Sequence, residues 1–134
     1  MTKIARNRTS TIMYTVLAAL APGLIAQASG VGFGVRLDGI ILSVLCVLIE
    51  VSIVLARRPV NYINELSRHV GDGSTLLTAW LIAVCLPPSL PISVLAVAAL
   101  AAIGLAKHAY GGLGQNVFNP AMVGYAVILL SFPC

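Results

Sequence analysis

Charge is what this chain has least of. Only 9% of its 134 residues are charged, and four are acidic: Asp38, Glu50, Glu65 and Asp72. A soluble domain carries roughly 25%. With 59% hydrophobic residues and a mean hydropathy of +1.00, the composition predicts an all-α polytopic membrane protein. A long polar stretch is missing too. The longest, Arg57 to Gly73, leaves no room for a sizeable soluble domain, so residues 1–134 read as one membrane domain. The three cysteines, Cys46, Cys85 and Cys134, share no C-x-x-C spacing. That excludes a local redox pair or an encoded zinc site, and no metal site is expected. Cys46 and Cys85 lie in apolar runs, where a cysteine acts as a small core hydrophobe. An iron–sulfur ligand completed by other subunits is the alternative.

The positive charge is clustered. Lys3, Arg6 and Arg8 precede the first apolar run, Arg57 and Arg58 end the second, Arg68 lies in the following loop and Lys107 ends the fourth; Arg36 stands apart beside Asp38. This is a positive-inside pattern, not a nucleic-acid footprint. It puts the N-terminus, as a tail over residues 1–10, the 57–73 loop and Lys107 in the cytoplasm. Residues 1–28 also match a secretory signal in outline, but the run from Thr11 to Ala28 is long enough to serve as a span.

About five hydrophobic segments follow from the pattern. The first, Thr11 to Ala28, contains Pro22-Gly23, which predicts a kink. A glycine-rich turn, Gly30 to Gly34, leads to a full-length second span, Leu37 to Ala56, stopped by Arg57-Arg58-Pro59. The third run, Ser74 to Leu86, would reach about 20 Å as a helix, short of a hydrocarbon core of about 30 Å. Pro87-Pro88-Ser89-Leu90-Pro91 breaks it. The fourth, Ile92 to Ala106, and the fifth, Ala121 to Pro133, are also short. Short, interrupted segments point to discontinuous helices around a midplane site. The chain stops without a charged C-terminal anchor, and is expected to be the first half of something longer or one half of a split protein.

Polar residues inside apolar runs carry the functional signal. Glu50 lies in the second span, where a carboxylate is costly; it is a candidate for an ion pathway or for structural pairing near Arg57. Asp72, in Gly71-Asp72-Gly73-Ser74-Thr75, is a second candidate. Asp72 or Ser74 is expected to cap the third helix, whose start also suits an anion. Lys107 reads first as a snorkelling residue, and second as a charge that neutralises an anionic cofactor. His108 reads as a satisfied polar residue, Tyr110 as an interfacial or stacking aromatic, and Trp80 as packing.

The densest signal is Gly111-Gly-Leu-Gly-Gln-Asn-Val-Phe-Asn-Pro120. Glycine allows close backbone approach to a ligand, and each asparagine amide both donates and accepts. Asn119 before Pro120 is also a good helix start, but capping explains only one of the two asparagines. The stretch predicts a buried binding loop in which Asn116 and Asn119 hydrogen-bond a planar heterocycle, with Gly111, Gly112 and Gly114 giving access.

From Gly111 to Pro133 the string resembles the RnfD component of the Rnf (Rsx) ion-translocating electron-transport complexes. It is more distantly similar to the NqrB component of the sodium-pumping NADH:quinone reductase. Gly71 to Thr75, Leu86-Pro87-Pro88 and Arg57-Arg58-Pro59 resemble that RnfD/NqrB family in the same order. The likeness covers nearly all of this chain and the first half of a typical member. It implies one half of an inverted-repeat fold in a multi-pass component of the bacterial inner membrane, partnered by the bilayer and by other membrane and peripheral subunits. It implies a role in coupling electron transfer between NADH and ferredoxin to sodium or proton transport, with no catalysis by this chain alone. It also implies flavin. A noncovalent riboflavin would meet Gly111, Gly112, Gly114, Asn116 and Asn119. The covalent FMN of the family sits on a threonine in a Ser-Gly-Ala-Thr-type motif that this chain lacks, so Thr75 is not assigned that role. Two other classes stay open: a passive channel for a small solute, since Asn-Pro half-helices suit a pore, and an inactive truncated or assembly subunit.

Overall fold

The computed structural model describes residues 3–31, 34–57, 61–109 and 118–132. Among these, six α-helices and one π-helical segment follow in order: α1 Lys3–Val31, α2 Gly34–Ala56, α3 Tyr62–Val70, α4 Ser74–Cys85, α5 Ile92–Ala99, the π segment Leu100–His108, and α6 Pro120–Ser131. No strand occurs among the described residues. Stretches of α1 and α2, Arg8–Gln27 and Leu37–Ala56, are long and apolar enough to cross a membrane. The protein is an all-α membrane protein built on α2.

Helix α2 shows how. Asp38, Leu42, Cys46, Glu50 and Val54 recur every fourth residue and are all buried. Residues so spaced form one helix face. Ile40, Val44, Leu48 and Leu55 point outward, as suits a helix whose surroundings are apolar on both sides. The buried face packs on α4, α5 and the π segment, and α6 closes the other side of those three. Leu42, Ile82, Leu95, Ala98, Ala102, Ile103 and Ile128 lie at the centre of this core. Small residues let the backbones approach, as membrane helix interfaces require. A Cβ on Gly124 of α6 would stand 2.9 Å from the Ala98 carbonyl oxygen and 3.1 Å from Ile82 Cδ1. Gly39 of α2 abuts the Trp80 ring in the same way, 2.5 Å from where its Cβ would be, so Trp80 serves packing.

The short helices begin and end where the breakers put them. Helix α4 stops at Cys85 before the prolines, and α5 starts right after Pro91. Between them Ser89 holds a φ of +65°, unusual for a residue with a side chain. Its N–H donates to Asp38 Oδ2 at 2.7 Å, so the first carboxylate of the inward face pins the turn.

Three expectations are corrected. Helix α1 extends from Lys3 to Val31 with Pro22 inside it, so the helix starts before the Thr11 expected from hydropathy. The stretch expected as the 57–73 loop contains α3, a short amphipathic helix. The fourth run does not end as an α-helix but widens into the π segment and continues to His108.

Close packing at Gly124 yields a test. Gly124→Val should lower the unfolding free energy by about 1–3 kcal/mol through overpacking, read as a lower thermal midpoint of the full-length subunit in detergent. Gly104→Ala, whose Cβ meets no atom within 4 Å, should leave the midpoint unchanged or raise it.

Candidate functional site

The π segment sets the geometry of the site. In a π-helix the backbone bonds run five residues apart, so side chains five apart share a face. Ala101 and Ala106, Ala102 and Lys107, and Ile103 and His108 are such pairs, and all six are buried. With α-helical periodicity His108 would fall on the row of Gly104 and Leu105, and Leu105 points outward. Widening the helix therefore turns both Lys107 and His108 inward. The Arg57 guanidinium caps the segment, donating from Nη2 to the His108 carbonyl oxygen at 3.1 Å.

Lys107 ends in a ring of acceptors. Its side chain is 1% exposed, against the expectation that it snorkels to the membrane surface. The ammonium donates to Glu50 Oε1 at 2.6 Å, to Ser74 Oγ at 2.9 Å and to Thr75 Oγ1 at 2.9 Å. Three donors on an ammonium meet three acceptors. The Thr75 hydroxyl donates to Glu50 Oε2, and the Ser74 hydroxyl donates to Asp72 Oδ1 at 2.7 Å. Glu50 and Asp72 thus belong to one hydrogen-bonded network, joined by Lys107, Ser74 and Thr75. Thr75 is committed to this network through both Glu50 and Lys107.

The start of α4 presents these hydroxyls. Gly73 occupies the cap position with a φ of +77°, a left-handed geometry that favours glycine. Asp72, one residue earlier, accepts the Ser74 N–H at 2.9 Å. The cap residue is therefore Gly73 and not Asp72 or Ser74 as expected, and Asp72 supports the helix start through an Asx-type bond across that glycine. Thr78 Oγ1 donates back to the Ser74 carbonyl at 2.8 Å.

Two histidines complete the cluster. His108 Nε2 lies 3.5 Å and His69 Nδ1 3.7 Å from Glu50 Oε1, and the two rings are 5.5 Å apart. His69 comes from α3. Neither ring nitrogen of His108 has a hydrogen-bond partner among the described residues, which corrects its reading as a satisfied polar residue. The Glu50 carboxylate thus meets the Lys107 ammonium directly and Asp72 meets it through Ser74, and the Arg57 guanidinium stands at the adjoining His108 carbonyl.

The chain that carries this network has relatives among known proteins. The profile of the NQR2, RnfD, RnfE family matches residues 4–134. The chain belongs to that family. It is 46% identical over 129 residues to the D subunit of the ion-translocating oxidoreductase complex of Tolumonas auensis, covering 96% of this chain and 36% of that one. It is 43% identical over 128 residues to the protein of the same name from Actinobacillus pleuropneumoniae serotype 5b, covering 95% and 35%. With the one from Vibrio cholerae it is 41% identical over 131 residues, covering 96% and 36%. The chain spans about a third of the length of the curated relatives it matches.

Within this family member, Gly111, Gly112, Gly114 and Asn116, and also Tyr110, lie outside the described residues. Asn119 lies within them, and its side-chain oxygen accepts from the Ala121 N–H at 3.0 Å as the cap of α6, whose first residue is Pro120. Of the cysteines, Cys46 is a buried core residue on α2, whereas Cys85 at the end of α4 is exposed and does not serve as core; Cys134 is outside the described residues. His69 is the member of the cluster that sequence reasoning missed. An inward i, i+4 row running through Glu50 was available as a signal, but the partners across the bundle were not.

The Asp72 bond to α4 is testable by substitution. Asp72→Ala should cost about 0.5–2 kcal/mol, the usual range for losing a cap, measured as thermal stability of the full-length subunit. Asp72→Asn keeps an acceptor at the same place and should retain most of that stability.

Proposed function

We propose that this chain is part of a membrane subunit of an Rnf/Rsx-type ion-translocating oxidoreductase complex in the bacterial inner membrane, with its N-terminus in the cytoplasm. In this reading the complex couples electron transfer between NADH and ferredoxin to sodium or proton movement, and its other membrane and peripheral subunits are the partners of this chain. Family membership and the names of the relatives support the reading. The observation that carries the mechanism is the wholly buried Glu50 carboxylate sharing Lys107 with the Ser74–Asp72 pair.

The network has a spare acceptor arrangement. When a cation, Na+ or H+, neutralises Glu50, the Lys107 ammonium loses its strongest partner. It keeps the Ser74 and Thr75 hydroxyls and shifts its weight toward Asp72. When the cation leaves, Glu50 takes Lys107 back. Two unit charges about 4 Å apart interact by about 4 kcal/mol at the effective dielectric of a protein near its surface. A charge arriving beside the network could therefore change cation occupancy by close to a thousandfold. Such intramembrane ionisable groups mark ion pathways by default.

Flavin enters as the group whose charge changes. We assign noncovalent riboflavin to the stretch containing Gly111, Gly112, Gly114, Asn116 and Asn119. The Asn119 oxygen already caps α6, and its amide N–H groups suit a flavin carbonyl. A bound flavin would supply the electron-transfer chemistry; the residues of this chain hold it and bear the cation. Covalent FMN belongs to a part of the family fold without a counterpart in these residues.

Glu50→Gln, placed in the full-length subunit and assembled in the complex, tests the reading in membrane vesicles. Electron-driven ion uptake should fall by at least about tenfold, as expected when the charged member of an intramembrane ion path is removed, while Glu50→Asp should retain part of it. Uptake by Glu50→Gln at the wild-type rate would refute the role.

A further inference from the structure

We infer that Glu50, His69 and His108 form a binding site for a divalent transition-metal ion of the Zn2+ class, which takes the Glu50 carboxylate in place of the Lys107 ammonium. One ligand atom from each of the three residues lies within 4.8 Å of the other two. The residues come from α2, α3 and the π segment, so the site is a product of the fold and not of sequence spacing. Bonds of about 2.0–2.1 Å in a tetrahedron put neighbouring ligand atoms about 3.4 Å apart. Glu50 Oε1 lies 3.5 Å from His108 and 3.7 Å from His69, close to that value, and the whole trio falls within 4.8 Å, so a bound ion draws the ligands together.

His108 is an independent pointer to a ligand. It is 5% exposed, and both of its nitrogens are without a hydrogen-bond partner among the described residues. A buried polar group without a partner costs free energy that a native structure normally avoids. A metal bond to Nε2, whose nearest acceptor is Glu50 Oε1 at 3.5 Å, gives that nitrogen a partner. The donor set selects the ion: imidazole with a carboxylate suits zinc and its neighbours, whereas magnesium and calcium favour all-oxygen sites. The Glu50 carboxylate supplies the anionic ligand of the trio. His69, with its side chain 22% exposed on the amphipathic α3, gives the ion a way in.

Lys107 makes the site conditional. Its ammonium is 2.6 Å from the same Glu50 oxygen, and two positive groups cannot share that oxygen in an apolar interior. Ser74 and Thr75 remain as acceptors when the ammonium withdraws. Metal and ammonium are therefore alternative partners of one carboxylate, and a bound metal would hold Glu50 out of the exchange described above. The binding claim rests on the cluster alone and is read at equilibrium, without turnover, so it fails or survives separately from the ion-transport reading.

The test uses the purified complex containing the full-length subunit, stripped with chelator and equilibrated against buffered Zn2+, with zinc counted by mass spectrometry. Wild type should hold one zinc more than His108→Gln or His69→Gln at saturation of this site, and both variants should bind at least about tenfold more weakly. Lys107→Gln should bind at least about tenfold more tightly, because the ammonium that competes for Glu50 is gone. His69→Gln, on the partly exposed helix, keeps the test open if His108→Gln fails to assemble. Equal zinc content in wild type and the histidine variants overturns the site. Unchanged affinity in Lys107→Gln overturns the competition and with it the proposal.

Discussion

A carboxylate and an ammonium buried together in an apolar bundle constrain everything around them. An isolated charge moved into such an interior costs several kcal/mol even after relaxation, so Glu50 and Lys107 need each other and need further hydrogen bonds. Lys107 has three, and the hydroxyls that provide two of them must sit at the start of α4. That requirement explains the left-handed Gly73, the Asp72 bond to the Ser74 N–H and the burial of a threonine and a serine where apolar residues would otherwise pack.

The same demand accounts for the irregular helix. A π segment is rare and costs regular hydrogen-bond geometry, yet it alone turns two consecutive polar residues, Lys107 and His108, toward one carboxylate. Alanines at 98, 99, 101, 102 and 106 and Gly124 on the facing helix keep the backbones close enough for that irregular surface to be covered. Asp38 plays a matching structural part at the other end of α2, where it holds the proline-rich turn before α5. Two carboxylates on one helix face thus have different tasks, set by what stands opposite them.

Much of this was legible in the residues. The full-length span at Leu37–Ala56, the starts of α4, α5 and α6 and the stop at Leu86 followed from hydropathy and from proline and glycine, because those are local effects. Glu50 stood out because a charge in an apolar run is expensive wherever it lies, and Asp72 because it precedes a helix start. What escaped was long-range. Lys107 looked like a surface residue because its partner is 57 positions away, and no periodicity announces such a pairing. Helix α3 was hidden by its polarity, which composition reads as loop. Helix α1 continues through Pro22 because a proline removes one backbone donor without obliging a long apolar helix to end. The family resemblance carried the order of motifs but not the register of the π segment.

The whole account depends on Glu50 and Lys107 being charged and energetically coupled inside the bundle. A double-mutant cycle on the full-length subunit, with Glu50→Leu, Lys107→Met and both, measures this most directly by thermal or denaturant unfolding. Each single change should cost about 3–5 kcal/mol by leaving a buried charge alone, and the double should cost no more than either single, giving a coupling well above about 1 kcal/mol. Single losses that simply add in the double variant would contradict the account.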